Sequence, residues 1–149
     1  MQSDLLSLDE AISKIKSSFQ KISNEDIFLK DALGRCLAKP IISKVDNPKY
    51  DVSSMDGYAI NYKDFTTAKY SRVKKFKIVG ESSAGTPYSK KINPQETVRI
   101  FTGAKLPIGS NTVIIQEDIK VLNNGNFIII DETPKKNQFV RKKGLDFKK

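Results

Sequence analysis

The amino-terminal stretch has the apolar spacing of an α-helix. In SLDEAISKIKSSFQKI, residues 7–22, apolar side chains recur every three or four positions and so share one helix face. They are Leu8, Ala11, Ile12, Ile15, Phe19 and Ile22. Ser7 followed by Glu10 is a capping-box pattern, in which the hydroxyl and the carboxylate satisfy amides at the helix start. The pattern predicts an amphipathic helix over residues 7–22.

After this helix the pattern becomes mixed and then typical of strands. Residues 26–43, DIFLKDALGRCLAKPIIS, predict a short strand, a turn of helix over 32–37 and an extended piece after Pro40. Further on, short runs rich in Val, Ile and Phe are separated by Gly, Pro, Asn and Ser, which favours strands. These runs are residues 72–80, 96–101, 111–118, 118–130 and 138–142. Within 118–130, Asn124-Gly125 favours the two-residue turn of a β-hairpin.

These elements predict a mainly β (α+β) fold. Strands outnumber helices and do not alternate with them, so we expect a compact, largely antiparallel β domain with one amino-terminal amphipathic helix. That helix need not belong to the core, and its apolar stripe could dock on a partner outside the chain.

Composition fits a folded, soluble protein. The chain has 149 residues, of which 38% are apolar and 29% are charged, enough for one domain or one and part of a second. No apolar run approaches the roughly 18 residues of a membrane span. The start of the chain lacks the basic and apolar blocks of a secretory signal. We therefore predict a cytoplasmic protein with no membrane partner.

The residue types that are missing restrict the chemistry. There is no histidine, which excludes Ser-His-Asp triads, Cys-His dyads and histidine metal sites within this chain. The single cysteine, Cys36, excludes intrachain disulfides and multi-cysteine zinc sites, and we predict it to be a half-buried small hydrophobic residue. Carboxylates, hydroxyls, Lys, Arg and backbone amides remain, and these groups bind phosphates, oxyanions and magnesium.

The net charge of +9 favours anionic partners. Residues 135–149, KKNQFVRKKGLDFKK, hold seven basic residues and one acidic residue. Such a segment is either a solvated tail or part of an anion-binding site.

Three loops are candidates for function, each with a simpler explanation. In DVSSMDGYAI, residues 51–60, Asp56 is either a catalytic carboxylate or a turn residue, with Gly57 supplying the dihedral angle. FTGAKLPIGSNT, residues 101–112, offers glycine amides and Thr102 to an anion, or is a long hairpin loop. VRKKGLDF, residues 140–147, is a clamp of cations with a carboxylate, or a tail. A fourth glycine-bearing stretch, residues 80–89, predicts a turn or bulge.

The segments SSMDGYAI, RIFTGAKLPIGSNTVIIQED and FVRKKGLD, with ALGRCLAKPI upstream, together resemble the amino-terminal portion of the MoeA family. These are molybdopterin molybdenumtransferases, and the family includes the E domain of gephyrin. The resemblance runs from about Leu6 to Asp146, and the MDGYA and TGA-x-x-P-x-G blocks are specific at their separation.

The resemblance implies a function and an organisation. The family inserts molybdate into adenylylated molybdopterin with the help of Mg2+, and its members are elongated homodimers whose cleft joins the second domain to the partner's third and fourth. It implies that residues 1–45 belong to domain I, that 46–140 form domain II and that 141–149 form a basic return segment. It also implies small anionic substrates, namely adenylyl-molybdopterin and molybdate, and possible contact with the molybdopterin adenylyltransferase.

The resemblance also assigns roles to residues. Asp56, Thr102 and Asp146 match catalytic positions, and the two aspartates are candidate metal ligands. Ser53, Gly103, Arg141 and Lys142 match positions expected to contact or support the substrate, and Lys143 adds charge beside them. We expect Asp56 to help place metal or water for pyrophosphate cleavage and molybdate entry.

Several positions depart from the family pattern. Leu145 replaces an acidic residue common in relatives, which puts metal binding near Asp146 in doubt, while Ser110-Asn111 replaces Ala-Asp and Val52 replaces Asn. The chain also stops before the molybdopterin-binding domain, so we expect a truncated protein that is inactive alone.

The alternatives to a molybdenum-insertion enzyme are a small basic β module that binds nucleic acid, which the lack of an RNA-recognition signature disfavours, and a non-catalytic interaction domain.

Overall fold

A computed structural model describes residues 5–20, 22–67, 74–123 and 125–149. The chain divides into two compact units, Met1–Ile41 and Ile42–Lys149. Within the described residues, no helix combines the length and the apolar character that crossing a bilayer requires. The domain limits implied by the resemblance stay a prediction.

In the first unit, helix α1 spans Leu8–Ser18. The capping box is confirmed, because the Glu10 amide donates to Ser7 Oγ at 3.3 Å and the Ser7 amide donates to Glu10 Oε2 at 2.8 Å. The predicted end at residue 22 was wrong, since Phe19 is extended with φ −101° and ψ 125°. Ser17 and Ser18 both donate to the Lys14 carbonyl, at 2.9 and 2.8 Å. Such bonds compete with the helical ladder and favour an end here.

The rest of this unit corrects three expectations. Residues 26–43 form no strand, and a 3-10 helix covers Leu29–Asp31 in place of the helical turn predicted at 32–37. Cys36 was predicted to be half-buried and is exposed. The physical reason is shared: none of the described residues from 5 to 41 is buried, so these apolar side chains build no core that would stabilise a strand or enclose the thiol.

The second unit is built on a six-stranded sheet in the order β5-β2-β4-β3-β7-β6. Its strands are β2 (Gly57–Ile60), β3 (Lys74–Ser82), β4 (Glu96–Ile100), β5 (Thr112–Ile115), β6 (Ile119–Leu122) and β7 (Phe127–Ile130). All neighbouring strands are antiparallel except β3 and β4, which are parallel. The predicted β-rich, largely antiparallel class is therefore confirmed. A short helix α2, Tyr62–Thr67, follows β2 and was not predicted.

Two connections bear on the sequence predictions. Strands β6 and β7 pair as a hairpin with Leu122 opposite Phe127, as expected, although Asn124 of the predicted turn lies outside the described residues. The loop over residues 101–111 does not close a hairpin, because β2 lies between the two strands that it joins. The turn predicted at 80–89 is confirmed by reciprocal backbone bonds of 3.1 and 3.0 Å between Ser83 and Thr86.

A second, two-stranded sheet joins distant parts of the chain. Strand β1 (Val52–Ser53) pairs with β8 (Val140–Arg141) in antiparallel register. Two clusters of buried side chains form the core of this unit, one around Phe76 and Ile128 and one around Ile100 and Val113. Phe139 and Val140 pack against the second cluster. Apolar burial therefore anchors the segment that leads into the basic return segment.

A glycine is needed at position 57 because a side chain would not fit there, and not because the backbone adopts an unusual dihedral angle. It pairs with both Ile100 and Ile115 in the middle of the sheet. A Cβ here would overlap the Ile114 carbonyl oxygen and come within 2.8 Å of its carbonyl carbon. Gly57 is not among the glycines with positive φ. The expectation that it supplies a turn dihedral was wrong, since close strand packing explains the residue.

We predict that Gly57→Ala destabilises the second unit by at least about 2 kcal/mol, because the new methyl group meets backbone that cannot rotate away. Urea denaturation measures the loss. Gly85→Ala is the control: its φ of 85° is unfavourable for alanine, but nothing lies within 4 Å. It should cost only about 1 kcal/mol. Equal stabilities of the two variants would contradict the packing explanation.

Candidate functional site

Residues 51–56 are the point at which the three candidate loops meet. Backbone bonds join this segment to the loop after β4: the Ser53 amide donates to the Ala104 carbonyl at 2.9 Å, and the Gly103 amide donates to the Ser53 carbonyl at 2.8 Å. The Ser54 amide donates to the Phe139 carbonyl at 3.0 Å. The structure therefore brings the predicted loops together around one short piece of chain.

Asp56 and Thr102 form the central pair of this junction. Asp56 Oδ1 accepts from both the amide and the hydroxyl of Thr102, each at 2.8 Å. The hydrogen bonds from the Thr102 amide and hydroxyl lower the pKa of Asp56 below its ordinary value of 3.8, and the charge of Arg99 does so to a lesser degree. Oδ2 accepts no hydrogen bond from a described residue. The pair therefore presents an ionised carboxylate with one oxygen held and one open.

Three other donors close to this pair are engaged within the protein. The Ala104 amide donates to the Phe101 carbonyl at 2.9 Å. Ser53 is buried, and its hydroxyl donates to the Met55 carbonyl at 2.6 Å. Gly103, whose φ is 79°, donates its amide to the Ser53 carbonyl within the junction. Ser53 and Gly103, which the resemblance placed near the substrate, here hold the loops against each other.

The basic return segment is paired with carboxylates. Arg141 Nη2 donates to both oxygens of Asp146, at 2.6 and 2.8 Å. Asp51 accepts from Lys142 Nζ and from the Lys143 amide, both at 2.9 Å. The Lys143 ammonium lies 3.2 Å from Asp46. The pairs of Lys142 with Asp51 and of Lys143 with Asp46 hold this segment against residues 46–51, so it is not a free tail.

Asp146 and Asp56 have different partners. Besides Arg141, Asp146 Oδ2 accepts from Asn47 Nδ2 at 3.1 Å, and the Asp146 amide donates to the Asn47 carbonyl at 2.9 Å. No hydrogen bond among the described residues joins Asp146 to Asp56 or Thr102. Nor do the described residues contain a cluster of three or more Asp, Glu or Cys side chains suited to a metal. A cation at Asp56 would therefore need further ligands from substrate or water.

Sequence reasoning missed two groups beside Asp56. The Arg99 guanidinium carbon lies 5.1 Å from the centroid of the Tyr58 ring and 5.0 Å from that of Phe101. Its Nη2 donates to Gln116 Oε1 at 2.5 Å, and the Gln116 amide donates to the Asp56 carbonyl at 3.3 Å. The only signal in the sequence was an arginine inside a strand two residues before an aromatic residue. The strand register that adds Tyr58 could not be read from it.

The carboxylates Asp46 and Asp51, which pair with the return segment, were missed for a related reason. Each lies more than 90 positions before the amide that it accepts from, at separations of 103 and 92 residues. No local pattern marks such a pair.

The fold is that of a class of β-rich amino-terminal regions found in molybdopterin-biosynthesis proteins. The family described as MoeA N-terminal region (domain I and II) matches residues 6–149. The chain is a member of this family, which confirms the resemblance seen in the sequence.

Named relatives agree with this assignment. The chain is 36% identical over 146 residues to the molybdopterin molybdenumtransferase of Haemophilus influenzae, covering 97% of this chain and 35% of that protein. It is 41% identical over 112 residues to the Nostoc protein of the same name, covering 75% of this chain and 25% of that one. The chain thus spans about a third or less of the length of these relatives.

Solved structures show the same fold. The molybdopterin biosynthesis MoeA protein from Pyrococcus horikoshii superimposes with a TM-score of 0.74 at 32% identity, covering 98% of this chain and 37% of that chain. A second structure from this source gives a TM-score of 0.75 at 28% identity.

We predict that Thr102→Val raises the pKa of Asp56 toward 3.8, because it removes the hydrogen bond from the hydroxyl and keeps the hydrogen bond from the backbone amide. An NMR titration of the Asp56 carboxyl carbon measures the change. Thr102→Ser, which retains a hydroxyl, should leave the titration close to that of the unchanged chain. If Asp56 has the same pKa in the valine and serine variants, the hydroxyl does not stabilise the carboxylate.

We also predict a pH-dependent contribution from Asp51. Burial raises its pKa, but hydrogen bonds from Lys142 and the Lys143 amide outweigh this and the net pKa is below 3.8. A lowered pKa in the folded state stabilises the fold fully above the ordinary value, and this stabilisation is lost as pH falls through the folded value.

Urea denaturation from neutral pH down to about pH 3 tests this contribution. Asp51→Asn should lose less stability on acidification than the unchanged chain, by about 1 kcal/mol or less, since the pair is partly solvated. Lys142→Gln leaves the Lys143 amide in place and should give an intermediate loss. Identical pH profiles of the unchanged chain and Asp51→Asn would show that Asp51 does not contribute.

Proposed function

We propose that this chain is the amino-terminal part of an enzyme that inserts molybdate into adenylylated molybdopterin. The observation that carries this proposal is the Asp56–Thr102 pair at the junction of three loops, in a chain whose relatives are named molybdopterin molybdenumtransferase. An ionised carboxylate with one open oxygen is suited to orient water or a cation beside an anionic substrate.

In this proposal Asp56 is the principal catalytic group and Thr102 fixes it. Because both donors of Thr102 go to Oδ1, the carboxylate plane is set and Oδ2 can accept a proton or contact Mg2+. Bound Mg2+ would offset the negative charge of phosphate and molybdate oxygens. The residues fit such an ion only in part, since one carboxylate supplies one ligand and substrate oxygens must supply others.

Asp146 is better suited to positioning Arg141 than to holding a metal. Both of its oxygens accept from Arg141, and one also accepts from Asn47, so a metal would have to displace these bonds. Arg141 and Lys142 are paired with Asp146 and Asp51, so an anionic substrate would have to compete with these carboxylates for their positive charge. Ser53 and Gly103 support the loop geometry.

The remainder of the reaction site is proposed to come from other parts of the full-length protein. The relatives extend well beyond the matched region, since the chain spans 35% of the Haemophilus protein. We propose that the 149 residues alone do not complete the reaction, that the whole enzyme is a cytoplasmic homodimer and that it receives its substrate from the molybdopterin adenylyltransferase.

Nucleic-acid binding has less support. The cations of the return segment that would contact phosphates are paired with Asp46, Asp51 and Asp146. Binding to nucleic acid would have to break these pairs or rely on other lysines.

A chimera tests the proposed function. This chain replaces the aligned amino-terminal region of the Haemophilus protein, and molybdenum cofactor formation from adenylyl-molybdopterin, molybdate and Mg2+ is measured. We predict activity in the chimera and none in the 149-residue chain. Asp56→Asn in the chimera should lower kcat by at least about 100-fold, in the range of a lost acid–base group.

The matched control is Asp131→Asn, which removes a carboxylate bonded to Lys120 at 2.6 Å on the β6–β7 hairpin. It should retain activity. An inactive, folded chimera, or near-normal turnover by Asp56→Asn, would refute the proposal.

A further inference from the structure

We propose that Arg99 is the anion-binding residue of the Asp56–Thr102 site and that it takes a tetrahedral oxyanion, either a phosphate group or molybdate. This inference rests on the proposed function and adds to that site the residue that binds the oxyanion. It depends on which hydrogen-bond donors are engaged and which remain.

The donors of residues 102–104, in the loop that was expected to bind the anion, are engaged within the protein. The amide and hydroxyl of Thr102 both donate to Asp56 Oδ1. The amides of Gly103 and Ala104 donate to backbone carbonyls, at 2.8 and 2.9 Å. An oxyanion at this loop would therefore have to break existing bonds, and breaking bonds of a partly buried junction opposes binding.

Arg99 is a cation close to the Asp56–Thr102 pair with hydrogen-bond donors that remain unused. Among the described residues its guanidinium donates one hydrogen bond, from Nη2 to Gln116, and forms no ion pair. A guanidinium carries several N–H groups in a planar fork that matches two oxygens of a phosphate or similar anion. Arg141 and Lys142 differ, because each is already paired with a carboxylate.

The guanidinium is also held in place before any ligand binds. It contacts the rings of Tyr58 and Phe101, and Tyr58 is buried in the core with 8% exposure. Stacking on aromatic rings leaves the edge of the guanidinium available for hydrogen bonding. A preorganised side chain loses less entropy when it binds.

Arg99 is connected to Asp56 through Gln116. Arg99, in β4, lies opposite Tyr58 of β2. Its side chain donates to Gln116 Oε1, and the backbone amide of Gln116 donates a hydrogen bond to the Asp56 carbonyl. The charge of Arg99 also contributes to the lowered pKa of Asp56, so the two groups interact without a direct bond. An anion on Arg99 would thus lie in the neighbourhood of the Asp56 carboxylate, and water or a cation could bridge them.

Direct binding to the 149-residue chain is the first test. The side-chain Nε–Hε resonance of Arg99 and the Thr102 amide are followed by NMR during separate titrations with sodium molybdate and with AMP. We expect both resonances to shift in a saturable way, and the tighter of the two ligands identifies the source of the oxyanion. No shift of Arg99 with either ligand would overturn the proposal.

Variants separate this site from general attraction to a basic protein. Arg99→Gln should weaken anion binding at least about 10-fold, measured at the Thr102 amide, and Arg99→Lys should retain part of it. Lys77→Gln, an exposed position on β3 that loses the same charge, should bind like the unchanged chain. Thermal unfolding confirms that each variant is folded. Equal weakening by Arg99→Gln and Lys77→Gln would show that only net charge matters.

The chimera then links binding to catalysis. Arg99→Gln should raise KM for the substrate that supplies the oxyanion by about 10-fold, with a smaller fall in kcat, whereas Asp56→Asn lowers kcat. If the chimera with Arg99 is inactive, the proposed function fails while the NMR titration still decides anion binding. If the chimera is active and Arg99→Gln changes neither constant, the inference about Arg99 fails alone.

Discussion

The hydrogen bonds that residues 51–56 make to two distant loops are the constraint on which the site depends. Ser53 exchanges backbone bonds with the loop at 103–104, and Ser54 bonds to Phe139. Immediately afterwards Gly57 packs against β5 so closely that no side chain fits. Asp56 is therefore fixed from both sides, and its distance to Thr102 is set by backbone geometry more than by side-chain choice.

Charge pairing explains how so basic a protein brings its cations close to this junction. Arg141, Lys142 and Lys143 each have a carboxylate partner in the preceding residues 46–51 or in Asp146. Exposed pairs of this kind contribute little to stability one by one. They do fix the direction of the segment, because Phe139 and Val140 pack its start against the core and the ion pairs hold residues 141–146. Three positive charges are thus held close to the junction, and each is balanced by a carboxylate.

The sequence was informative where the signal is local. The capping box at Ser7 and Glu10 and the β6–β7 hairpin both depend on neighbouring residues, and each was predictable. The roles of Asp51 and Arg99 depend on strand register and on contacts across the chain, which no local pattern encodes. The error at Gly57 is of the same kind: the sequence shows an Asp-Gly turn, whereas the residue that requires the glycine is Ile114 on another strand.

The distribution of engaged donors changes how such a site can work. A loop rich in glycine suggests free amides for an anion, yet the amides of residues 102–104 stabilise the junction that orients Asp56. Using them for substrate would loosen the carboxylate at the moment when it is needed. A stacked arginine avoids this conflict, since the aromatic rings that hold it are not hydrogen-bonding partners of the anion. In the proposed function the two tasks are divided, with Thr102 orienting the Asp56 carboxylate and Arg99 binding the anion.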